Sequence, residues 1–133
     1  MKKLLSVCVF FTLAGCSVVD AYLMKYDGNE YQIITEIRRD AQAYKTSCDD
    51  ELTSTVNSVA LADKTRLFML FSEHYPHNEP TIKASIELDK IAQGLKTQYT
   101  NGGKVNPLFC KIKFESIETS AESMQKVIGA KPR

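Results

Sequence analysis

Cys110, Phe114, Ile117, Ala121, Met124 and Ile128 follow one another at steps of four, three, four, three and four. An α-helix turns once in 3.6 residues, so this rhythm puts all six on one side of a helix about five turns long. The run opens at Asn106-Pro107, a capping residue followed by a proline whose missing N–H costs nothing in a first turn. Gly129 and Pro132 close it. A stripe of this length has to be buried, and three earlier segments offer stripes of the same period.

The first is expected from about Glu30 to Ser47, with Ile34, Ile37, Ala41, Tyr44 and Cys48 inward, and with Asn29 as N-cap and Gln32 completing a capping box. The second is expected from about Asp50 to Tyr75. Asp49, Asp50 and Glu51 suit the positive end of its dipole, and Leu52, Val56, Val59, Leu67, Leu70 and Phe71 supply its expected apolar side. The third is expected from about Glu79 to Tyr99, after an Asn78 cap and with Pro80 in the first turn. It would bury Ala84, Leu88, Ile91, Leu95 and Tyr99, with Ile82 and Ile86 beside them, and Asn101 to Gly103 would end it. Short connections between long helices favour an all-α, small antiparallel bundle of three to four helices, up-down-up-down if there are four. The three-helix variant would lay the first helix across the others.

The N-terminus, MKKLLSVCVFFTLAGCS, has a different construction. Lys2 and Lys3 precede an apolar run, Leu4 to Leu13, about half as long as a bilayer crossing requires, and small residues follow. Leu13-Ala14-Gly15-Cys16 resembles the bacterial lipobox. The resemblance implies cleavage between Gly15 and Cys16, a diacylglycerol on the Cys16 thiol and an acyl chain on the new amino terminus. Ser17, where an aspartate would favour the inner membrane, implies an outer-membrane anchor with the body facing the periplasm. The expected organisation is therefore a signal peptide over 1–15, a lipidated cysteine and juxtamembrane tether over 16–28, and a helical periplasmic domain over 29–133.

Without residues 1–15 the chain keeps 15 basic and 16 acidic side chains, no basic patch and no expectation of nucleic-acid binding. Two cysteines then remain unassigned, Cys48 and Cys110. In an up-down-up-down bundle they fall at the same end of neighbouring helices and both continue apolar stripes, so an oxidising compartment favours a bond between them.

Residues that carry chemistry are sparse. His74 and His77 flank Pro76, which breaks the helix between them, so a solvated loop is expected there and no metal site. The acid pairs Glu87/Asp89 and Glu115/Glu118 are expected on solvated helix faces. No nucleophile elbow, phosphate loop, H-E-x-x-H or EF-hand pattern occurs, so neither catalytic residues nor a cofactor beyond the lipid on Cys16 is expected. The closing SAESMQKVIGAKPR is either a docking segment or a frayed end. Three functions fit this outline. One is an outer-membrane lipoprotein that binds a periplasmic or inner-membrane protein, for instance to exclude phage or conjugation machinery. Another is host lysis, since the layout resembles the outer-membrane subunits of phage spanins, which implies an inner-membrane coiled-coil partner. The third is envelope maintenance, although Pro132 and Arg133 after Lys131 do not suit a C-terminal covalent tie to the wall.

Overall fold

The computed structural model describes residues 24–133. They form four α-helices, α1 (Gly28–Tyr44), α2 (Glu51–Glu73), α3 (Glu79–Thr100) and α4 (Pro107–Gly129), with one turn of 3-10 helix over Lys45–Ser47. Three of the four starts are capped by a side chain. Asp27 accepts from the Glu30 N–H at 2.8 Å, Asp50 from the Thr53 N–H at 3.0 Å, and Asn106 from the Leu108 N–H at 2.8 Å. The cap of α1 is thus Asp27 and not Asn29. A cap needs extended backbone, which Asp27 has (φ −123°, ψ 126°), whereas Asn29 already lies inside the helix. Gln32 then has no cap to complete, and its amide turns along the surface to Glu36. Asn78 stands at the start of α3, but its side chain turns into the protein instead of capping.

Neighbouring helices run antiparallel in the cyclic order α1, α2, α3, α4, with each packed on the next and α4 packed back on α1. Charged side chains lace three seams at matching heights: Lys64 to Glu36 (3.4 Å), Lys96 to Asp63 (3.1 Å) and Arg38 to Glu122 (3.7 Å). At the fourth seam, between α3 and α4, the small side chains of Ala84 and Ser123 leave an apolar groove of about 220 Å³ beside Pro80, Thr81, Met124 and Val127.

The core draws on all four helices. α4 buries its six expected residues, and α1 buries Ile34, Ile37 and Ala41, with Cys48 just beyond its end. Tyr44 sits half-buried, edge-on to Phe114 with ring centres 5.8 Å apart. Leu88, Leu95 and Tyr99 of α3 are buried together with Ala92, while Ala84 and Ile91 pack at the margin.

α2 is reversed. Of the residues expected inside, Leu52, Val56, Leu67 and Leu70 are exposed and Val59 and Phe71 are half-buried, whereas Ser54, Ser58, Leu61, Ala62, Thr65, Phe68 and Ser72 face the core. The physical reason lies in the hydroxyls. Ser58 donates to the Thr55 carbonyl (2.8 Å), Ser54 donates to the Ser47 carbonyl (2.8 Å), and the single Thr65 O–H is shared between the Ala62 carbonyl and Asp89 (3.0 Å each). A hydroxyl so engaged behaves in a core as a small side chain, not as an unsatisfied polar group.

Candidate functional site

Gly15 and Cys16, the expected cleavage and lipidation site, lie outside the described residues. Cys48 and Cys110 lie within them and form a disulfide, with Sγ atoms 2.07 Å and Cα atoms 5.8 Å apart. Cys48 follows the 3-10 turn and Cys110 stands in the first turn of α4, so the bond ties the two strands of chain that flank α2 and α3. Both are buried, and Ser54 Oγ lies 4.0 Å from Cys110 Sγ. Lys111 reaches Asp49 (3.4 Å) across the same junction.

The opposite end of the bundle holds a polar cluster. Lys131 Nζ donates to Glu30 Oε2 (2.6 Å) and to Asn78 Oδ1 (2.9 Å). The Asn78 amide donates in turn to Glu30 Oε1 (2.8 Å) and to the Ser72 carbonyl (3.2 Å), and Ser72 Oγ lies 3.4 Å from the same carboxylate oxygen. All four residues are buried. The last residues of the chain are therefore neither frayed nor offered outward at Lys131; they close onto the start of α1. The Tyr26 N–H donates to the Pro132 carbonyl (2.8 Å) and Arg133 lies over the Tyr26 ring. The tether expected to extend to residue 28 accordingly joins the bundle by Tyr26.

Beside this cluster the Tyr75 hydroxyl donates to Asp27. Burial alone would raise the Asp27 carboxyl, but the bonds from Tyr75 and from the Glu30 and Asn29 N–H groups, with the charge of Lys131, outweigh it and hold the carboxyl below its ordinary value. The same bond pushes the Tyr75 phenol up.

His74 ends α2, and His77, with a left-handed φ of 58°, turns the chain into α3; both are exposed. Among the described residues no three His, Cys, Asp or Glu side chains are grouped to hold a metal ion. Of the acid pairs, Glu87 is exposed and meets Lys90, while Asp89 is not on a solvated face at all. It is buried and accepts from Thr65 (3.0 Å), Gln93 (3.1 Å) and Arg66 (2.8 Å). Glu118 is half-buried in an ion pair with Lys45, and Glu115 is exposed.

The apolar residues of α2 expected inside form instead an exposed surface, and α4 exposes Leu108, Phe109, Ile112 and Val127 as well. Leu52, Val56, Leu67 and Leu70 are 76%, 61%, 56% and 49% exposed and lie on the outer side of one helix, with Val59 and Asp63 between them. Among the described residues no helix is long and apolar enough to cross a membrane. Comparison of the chain with protein-family models, with curated proteins and with solved structures gives no match.

Proposed function

We propose that the protein is a lipid-anchored outer-membrane lipoprotein whose helical body faces the periplasm and acts by binding another protein. The observation that carries this reading is Leu13-Ala14-Gly15-Cys16 at the end of the leader-like apolar run. The diacylglycerol and the N-acyl chain on Cys16 would make the attachment durable, since each buried methylene contributes ~0.8 kcal/mol and a second chain already turns marginal binding into stable anchoring. Eight residue steps separate Cys16 from Met24 and extend at most ~29 Å. An anchor at Cys16 would therefore keep the end of the bundle bearing Tyr26, Asp27 and Lys131 close to the bilayer. Supporting the binding role is the apolar outer side of α2, where Leu52, Val56, Leu67 and Leu70 are exposed.

The test is the intact mass of the protein extracted from membranes, with and without Cys16→Ala. The expected mass is that of residues 16–133 plus acyl chains, and the variant should stay unprocessed. A wild-type chain that is soluble, or that retains residues 1–15, would overturn the reading.

A further inference from the structure

α2 presents two faces, and the more hydrophobic one points away from the protein. Leu52, Val56, Val59, Leu67 and Leu70 run along 18 residue steps, about five turns and ~27 Å of helix, with Asp63 near the middle. Single exposed leucines need no explanation, whereas five apolar side chains along one helix face, interrupted by Asp63 alone, mark a surface made to be covered. We propose that this row is the docking strip for one amphipathic helix of another protein, whose apolar seam is flanked by lysine or arginine placed to meet Glu51, Asp63 and Glu73. The proposal rests on the protein-binding reading above and gives that partner its chemistry.

Charge decides the occupant. The bases that border the strip are already held by acids of this chain: Lys64 by Asp40, Arg66 by Asp89 and Lys96 by Asp63. The acids at its two ends, Glu51 and Glu73, have no ion-pair partner among the described residues, and Asp63 is mostly exposed despite Lys96. A second copy of the chain meets repulsion in either direction. An antiparallel pairing that lays the row on itself, with its axis near residues 61–62, brings Glu51 within two residues of Glu73 and places the two Asp63 carboxylates close to the axis. A parallel register stacks each acid on itself. An anionic lipid leaflet would meet the same three acids. A helix with basic flanks removes all three conflicts and is steered toward the strip at long range.

The experiment uses the full processed chain in nanodiscs and two synthetic 21-residue helical peptides. Both carry leucine and isoleucine at the heptad seam; one has lysine at the flanking positions and the other glutamate. Fluorescence anisotropy should show binding of the lysine peptide, with the glutamate peptide at least ten-fold weaker. Leu67→Gln should weaken the lysine peptide ten-fold or more without changing the circular-dichroism melt, and Leu108→Gln, an exposed residue on α4, should leave it unchanged. Binding of neither peptide, equal binding of both, or binding indifferent to Leu67→Gln would overturn the proposal. So would a dimer in sedimentation equilibrium that Leu67→Gln dissociates, which would give the strip to a second copy. A lipidated protein that fails here leaves the anchored reading standing; a chain that binds the peptide but carries no lipid overturns the anchored reading alone.

Discussion

Lys131 Nζ lies 2.6 Å from Glu30 Oε2, across 101 residues of chain, with both side chains shut away from solvent. Neither charge has water to fall back on, so each depends on the other and on Asn78, which bonds to both. The pair closes the bundle at the end where the chain enters it, as the disulfide does at the far end.

Removing one member of such a pair leaves the other charge buried alone. Lys131→Met should cost ~3–5 kcal/mol, while Glu30→Met combined with Lys131→Met should recover most of that loss. Urea unfolding of the two single variants and the double variant measures the coupling directly. Additive single losses would mean that the contact contributes no specific stability.

The disulfide spans a sequence separation of 62 residues. Constraining a loop of that length in the unfolded chain is worth about 4 kcal/mol on the chain-entropy account. Cys48→Ala with Cys110→Ala should lower the unfolding free energy by about that amount and leave the helical circular-dichroism signal intact. Loss of the signal at room temperature would show that the other core contacts cannot hold the bundle without the bond.

Asp27 caps α1 and accepts the Tyr75 hydroxyl, and its carboxyl is held below the ordinary range. A lowered folded pKa favours the native state above the ordinary carboxylate range, and that contribution is lost as pH falls through the folded value. Asp27→Asn keeps a side chain that can cap the helix but removes the charge, so it should flatten the fall in stability between about pH 5 and about pH 2. Asp40 and Asp50 are also held low, so some slope should remain. Chemical-denaturation midpoints taken across that range would test it, and parallel curves for the two proteins would refute the assignment.

The sequence made some of this legible and hid the rest for physical reasons. α4 could be read to the residue because its inner stripe runs unbroken at helical period from Cys110 to Ile128, whereas the apolar residues of its outer side, Leu108, Phe109, Ile112 and Val127, form no such run. The juxtaposition of Cys48 and Cys110 followed from helix order and stripe alone. Glu30 and Lys131 gave no local sign of burial, since an acid in a first turn and a base in a tail are what exposed helices ordinarily carry. Their meeting depends on how four helix ends converge, which no local window contains. Asp89 was hidden in the same way, since its partners Thr65 and Arg66 come from another helix.

α2 itself failed for a subtler reason, and it supplies the sharpest stability test. Two stripes of helical period run along opposite sides of it, one of Leu and Val and one of Ser, Thr, Ala, Leu61 and Phe68. Periodicity finds both and cannot say which goes inward. A usable signal did exist: the Leu/Val row is broken by Asp63, whereas Ser54, Ser58, Leu61, Ala62, Thr65, Phe68 and Ser72 run from end to end without a charge. If the inner row is the packed one, Leu61→Ala should cost ~2–5 kcal/mol and Phe68→Ala ~3–5 kcal/mol. Leu52→Ala and Leu67→Ala should stay within about 0.5 kcal/mol of the parent protein. Bulk on the inner row should also be refused: Ser58→Leu should cost ~1–3 kcal/mol, because a close-packed seam has no room for three added carbons. Equilibrium unfolding of these five variants separates the two faces. If the outer leucines proved costly and the inner residues neutral, the helix would have to be turned half round, and the docking strip would disappear with it.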